Sequence, residues 1–188
     1  MTLFITSVRL VVATMLVCVV GYAVVILGVA QIVPDTAQGS LITASDGKTI
    51  GSRLIAQNFT QPRYFWPRPS AAGKGGYDAT SAAGSNKSPT SPDVTKRAEE
   101  LISRYGASEE KPLPAELAAA SGGGLDPHIT AHAALYQAER VAKARGLPQS
   151  QVEAIIEQHT FAPGGFLTPD GLVNVLQLNL ALDAAQSK

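Results

Sequence analysis

Apolar and polar positions are spread very unevenly along the chain. From Leu10 to Val33 the sequence LVVATMLVCVVGYAVVILGVAQIV carries no charge. As a helix it would reach about 36 Å, enough to cross a hydrocarbon core of about 30 Å with some tilt. Beyond Val33 the pattern breaks into short pieces. Two β-rich runs, Leu41 to Thr43 and Lys48 to Ile55, flank the turn signal Ser45-Asp46-Gly47 and predict a hairpin. The proline-rich stretch from Pro62 to Pro92 lacks apolar periodicity and reads as one long surface loop, within which Tyr64, Phe65 and Trp66 form an extended aromatic segment. Two roles suit these aromatics: pinning the loop to the core, or docking a partner.

Helical patterns fill the second half. Ser91-Pro92-Asp93 is a start signal, predicting a helix to about Tyr105 that stops at Gly106. A short helix over Pro114 to Ala120 runs into three glycines. The longest is predicted over Pro127 to Arg145, with Leu135, Ala138, Val141 and Ala142 on one stripe and Gly146 as its stop. Gln149 to His159 gives another. Thr168-Pro169-Asp170 starts the last; its alternating leucines also fit a strand, and the start signal favours a helix. The fold class is therefore α+β: one N-terminal transmembrane helix, then a mainly helical domain with a small β-hairpin or sheet. The division is a tail over 1–9, a span over 10–33 and a soluble domain over 34–188.

A cleaved signal peptide, cut at Gln31 after Gly28 and Ala30, is the rival for the span. Its apolar core exceeds the usual length of about 7–15 residues, which favours a retained anchor. Arg9 precedes the span and Lys48 follows it, a slight tilt toward an inside N-terminus and an extracytoplasmic, periplasmic domain. Gly21 and Gly28, seven residues apart, share a helix face where another helix can approach closely, with the Tyr22 hydroxyl near the same level. Acids and bases nearly balance beyond the span, so no basic field draws in nucleic acid. The one cysteine, Cys18, lies inside the span, which excludes a disulfide framework or a thiol nucleophile in the domain.

The densest chemistry is SGGGLDPHIT, Ser121 to Thr130. On a helix, His128 and His132 at i and i+4 would share a face and could begin a metal site. Yet Ile129 stands where a metalloprotease pattern needs Glu, His159 belongs to a different helix, and Asp126, which could serve as third ligand, has a stronger local use for its oxygen. Ser121, Asp126 and His128 lack the strand–elbow–helix setting of a hydrolase triad. Gly122, Gly123 and Gly124 could cradle an anion, but Leu125 and Asp126 replace the Lys and Ser or Thr of a phosphate loop. The structural alternative has Asp126 capping the long helix, Pro127 in its first turn and the glycines making a sharp path into it. That accounts for the stretch as a demanding turn.

Five segments together carry a resemblance: LIAQNFTQPRYFWPRPSA (54–71), YDATSAAGSN (77–86), SGGGLDPHIT (121–130), RVAKARGL (140–147) and VNVLQLNLALD (173–183). In this order behind one span they look like the C subunit of the potassium-importing Kdp P-type ATPase of bacteria. The family has a Leu-Gly pair after the Ser-Asn, where this chain has Lys87-Ser88, which leaves the path of that loop open. The resemblance implies a non-catalytic accessory subunit in the cell inner membrane. Its partners would be a channel-like potassium-binding subunit, a P-type ATPase subunit and a small membrane subunit. No cofactor of its own is implied: potassium is the ion the complex transports, and ATP belongs to the ATPase subunit. A role as catalytic chaperone, raising that subunit's affinity for ATP, conflicts with a domain outside the cytoplasm. The motif residues expected to face partners are Tyr64, Phe65, Trp66, Arg68, Ser85, Asn86, Ser121, Gly122, Gly123, Gly124, Asp126 and Pro127. The enzyme alternative is a membrane-anchored metal-dependent hydrolase using His128 and His132.

Overall fold

The computed structural model describes residues 1–44, 47–167 and 170–186. It divides into two units, Met1–Ile50 and Gly51–Lys188. In the first, α1 (Thr2–Met15) continues through a π-helical segment, Leu16–Gly21, into α2 (Tyr22–Ile32). The result is one apolar helix of 31 residues, about 46 Å long, and none of its residues is buried. It begins at Thr2, well before Leu10, and Thr6, Ser7 and Thr14 turn their hydroxyls onto carbonyls one turn back, so these polar side chains leave no open donor. A short α3 (Pro34–Ala37) starts on a proline. Strands β1 (Leu41–Thr43) and β2 (Thr49–Ser52) pair as the expected hairpin, although Ser45 and Asp46 of its turn lie outside the described residues.

In the second unit α4 (Pro92–Tyr105) and α7 (Gln149–His159) follow the sequence pattern, and α5 (Ala115–Ala118) is a single turn. Gly106 and Gly146 both close their helices in the left-handed region, at φ 64° and 66°, where a side chain would be strained.

The long helix is shorter than its pattern. His128–Thr130 forms strand β3, and α6 spans Ala131–Arg145. Asp126 and Pro127 therefore cap no helix. Thr130 does, its Oγ1 accepting from the Ala133 N–H at 3.1 Å while its own N–H donates to Glu116 Oε1, also at 3.1 Å. The last segment is likewise divided, into β4 (Leu172–Asn174) and α8 (Val175–Gln186), with Asn174 Oδ1 accepting from the Gln177 N–H. Both readings of its leucines are thus partly met; the start signal Thr168-Pro169 lies outside the described residues. β3 and β4 pair antiparallel, Ile129 opposite Val173 and both buried, so a contact some forty residues apart overrides the local helix signal.

The core forms where α6 packs on α7, α7 on α8, and the small sheet on all three. Val141, Val152, Ile156, Val173, Leu178 and Leu182 are its centre. Leu135, expected on the buried stripe of α6, is instead 47% exposed. Ala138, Val141 and Ala142 of the expected stripe are buried, and Ala134 and Gln137 widen it on the side away from Leu135.

Phe65 and Trp66 are buried in this core, and two amide side chains hold them there. Asn179 of α8 accepts from the Phe65 N–H at 2.8 Å and donates to the Phe65 carbonyl at 3.1 Å. Gln137 of α6 does the same for Trp66, at 2.9 and 3.1 Å. Each amide thus acts as a one-residue β-strand, satisfying both backbone groups of a residue that no strand reaches. Removing one amide would orphan two buried groups, at about 1–3 kcal/mol each. The Trp66 ring lies between the guanidinium groups of Arg104 and Arg140, at 3.9 and 3.7 Å, with Tyr105 edge-on at 5.0 Å. Burial lowers the Arg140 pKa to about 10, still protonated at neutral pH, and the group donates to the Pro62 and Tyr64 carbonyls. Arg145, fully buried, pairs with Asp183 at 2.9 Å and donates to the Arg63 carbonyl at 2.7 Å.

Candidate functional site

Of the residues singled out in the sequence, one group comes together where two loops meet. The loop from Arg68 to Asn86 crosses the glycine turn at Gly122–Gly124. A Cβ on Gly84 would strike the Gly122 carbonyl, and one on Gly124 would strike the Ala83 carbonyl and crowd Ala72. Glycine is needed at both positions because backbone meets backbone. Gly124 also sits at φ +75°, the left-handed conformation expected somewhere in this turn. Gly122 and Gly123 have open space around their Cα atoms and lie exposed.

Below this crossing the turn is pinned on several sides. The Ser121 N–H donates to the Pro69 carbonyl at 3.0 Å and the Ala56 N–H to the Leu125 carbonyl at 2.9 Å. Pro127, buried, offers its carbonyl to the Val175 N–H at 2.9 Å. Asp126 accepts from both the backbone N–H and the ring Nδ1 of His128, at 3.0 and 3.1 Å, and stands 3.6 Å from Arg68. The hydrogen bond from His128 is the main cause that holds its carboxyl below the usual range. Tyr77, itself at φ +58°, donates its hydroxyl to the Arg68 carbonyl at 2.8 Å, and burial pushes that phenol up to about 12. Arg68 is thereby fixed at both its backbone and its side chain.

Ser121 Oγ is buried and, among the described residues, has no hydrogen-bond partner, so no relay among them links it to His128. His128 lies on β3, its ring edge-on to Phe161 at 5.5 Å, while His132 lies exposed on α6. The shared helix face expected for this pair does not form, because the helix starts three residues after His128. Among the described residues no three His, Cys, Asp or Glu side chains gather as a metal site would require. At the tip, Ser85 and Asn86 follow Gly84 next to Gly122, and Asn86 is exposed at φ +45°.

The aromatic segment lies elsewhere: Phe65 and Trp66 face the core and Tyr64 is half-buried, its hydroxyl donating to Asp183 at 3.2 Å. Of the two roles weighed, pinning the loop is what the geometry displays for Phe65 and Trp66. Gly21, Tyr22 and Gly28 belong to the apolar helix, where Gly28 has no neighbour within 4 Å of an added Cβ. Sequence reasoning missed Gln137, Asn179, Gly84 and Tyr77. The signal for the first two was available, a lone amide on an otherwise apolar helix stripe.

A family model described as KdpC, K+-transporting ATPase, c chain, matches residues 4–184. The potassium-transporting ATPase KdpC subunit of Parvibaculum lavamentivorans is 64% identical over 98% of this chain and 97% of its own length. That of Dechloromonas aromatica is 45% identical over 88% of each chain. That of Geobacter metallireducens is 41% identical, covering 94% of this chain and 95% of its own.

The crossing of the loops yields a contrast within one turn. Gly124→Ala is expected to lower the melting temperature of the full chain, since strain at positive φ alone costs about 1–3 kcal/mol before the clash is counted. Gly123→Ala, with open space and no positive φ, is expected to stay within about 0.5 kcal/mol of the parent. Equal losses in thermal unfolding of the two variants would contradict the crossing described.

Proposed function

The chain belongs to the KdpC family, the c chain of K+-transporting ATPases, and from that premise we propose that it serves as a non-catalytic accessory subunit of an ATP-driven potassium import complex. The observation that carries this is the reach of the match, which runs from the apolar helix through α8 and so takes in both units. The role is to assemble and stabilise the channel-like and ATPase subunits together with the small membrane subunit. Two features support a contact role over chemistry. The loop crossing at Gly84 and Gly122 fixes a tip, half-buried Ser85 and exposed Asn86 beside exposed Gly122-Gly123, on a well-pinned support. The polar residues beneath it, Arg68, Asp126 and Tyr77, hold that tip in place. Nothing supports the hydrolase alternative.

The apolar helix suits a membrane anchor. On this proposal the domain lies outside the cytoplasm, and Gly21 and Gly28 give a partner helix a close approach, with Tyr22 offering a hydroxyl at that level. A periplasmic domain cannot touch cytoplasmic ATP, so any effect on the ATPase subunit's nucleotide affinity would pass through the assembly. No nucleic acid or cofactor of its own enters this account.

Ala144 is exposed on α6 and reports the side of the membrane. In a Cys18→Ser background, Ala144→Cys is expected to react with an impermeant maleimide added to spheroplasts. Labelling that requires lysis would place the domain inside and remove this part of the proposal. The anchor is tested separately. Gly21→Leu with Gly28→Leu should insert normally, because leucine is the more apolar, yet recover less of the ATPase subunit on affinity purification. Full recovery and normal potassium uptake would reduce the helix to a tether.

A further inference from the structure

Away from the loop crossing, a groove runs between α6 and α7. Its floor is Ala131, Leu135, Ala154 and the edge of Ile156, and Glu153 and Glu157 stand along one side. Leu135 is the exception of its helix, 47% exposed where Ala133, Ala134, Ala138 and Val141 are fully buried. Some of the domain's acids are ion-paired. Asp93, Asp126, Glu139 and Asp183 each stand within 4.0 Å of a cationic side chain or of His128. Glu153 accepts from Gln149 Nε2 at 2.7 Å, but neither it nor Glu157 makes an ion pair among the described residues, and the groove is lined by neither Lys nor Arg. One turn apart on α7, they repel each other until a cation comes between them.

We propose that this groove docks a short segment of another subunit of the complex, one apolar side chain seated beside Leu135 and a neighbouring lysine or arginine reaching Glu153 and Glu157. It rests on the accessory-subunit reading. The floor supplies apolar area that Leu135 otherwise leaves in water, and the acids fix the sign of the charge the occupant must bring. From Ser150 to Thr160 the groove follows about 15 Å of helix, room for about four or five extended residues. An anionic lipid surface has the wrong sign for it.

The test uses the whole complex in native membranes, with a benzophenone amino acid at Leu135 and, in a second variant, at Ser150. Irradiation is expected to join either probe to a peptide of another subunit that contains an apolar residue next to Lys or Arg. Glu153→Lys with Glu157→Lys should cut that yield about tenfold, and the paired Gln variants about threefold. Crosslinks only to a second copy of this chain, only to lipid, or to nothing from an assembled complex would overturn the groove proposal and leave the accessory role standing. Charge reversal without effect would overturn it equally. If the chain never co-purifies with the ATPase subunit, the accessory reading falls and this one with it.

Discussion

The second unit depends on two side-chain amides. Phe65 and Trp66 enter the core from a proline-bounded loop that has no strand to pair with. A buried backbone without partners is the costliest thing a loop can contribute, and here Asn179 and Gln137 remove that cost residue by residue. Because the amides come from α8 and α6, the same four hydrogen bonds join the loop to both helices. Arg140 extends the clamp to the Pro62 and Tyr64 carbonyls, and Arg145 extends it to Arg63. Five consecutive residues, from Pro62 to Trp66, are thereby held by side chains of two helices.

What lies downstream of the clamp inherits its position. Pro67 and Pro69 carry the chain out of the core to Arg68, whose carbonyl receives Tyr77 and whose guanidinium faces Asp126. The Pro69 carbonyl then receives Ser121, so the glycine turn is placed by the strand of loop that the clamp has fixed. The tip at Ser85-Asn86 and Gly122-Gly123 is held in place for this reason. A surface of this kind is what a chain of the KdpC family would need if its work is contact with other subunits.

Much of this was legible in the sequence, and the misses share a physical cause. Gly106 and Gly146 announced their helix ends because an αL stop is a property of one residue. Gln149 to His159 was readable because its periodicity is local and its ends are punctuated. The strands β3 and β4 were not, since three residues are too few to show a period of two, and Asp126-Pro127 imitates a helix start. Only the pairing of Ile129 with Val173 decides against that start. Leu135 lies at the exposed edge of a stripe whose other members, Ala138, Val141 and Ala142, are buried; an alanine-rich helix marks the edges of its apolar face poorly. The loop crossing was half visible. The glycines were noticed, but which of them needs to be glycine follows from Ala83 and Gly84 arriving from forty residues away.

The clamp makes one observable stand out. Hydrogen exchange of the full chain in detergent should find the Phe65 and Trp66 amides as slow as those of α6 and α8, opening only when the whole unit unfolds. Rates typical of an exposed loop at these two amides, with α6 and α8 still protected, would contradict the account.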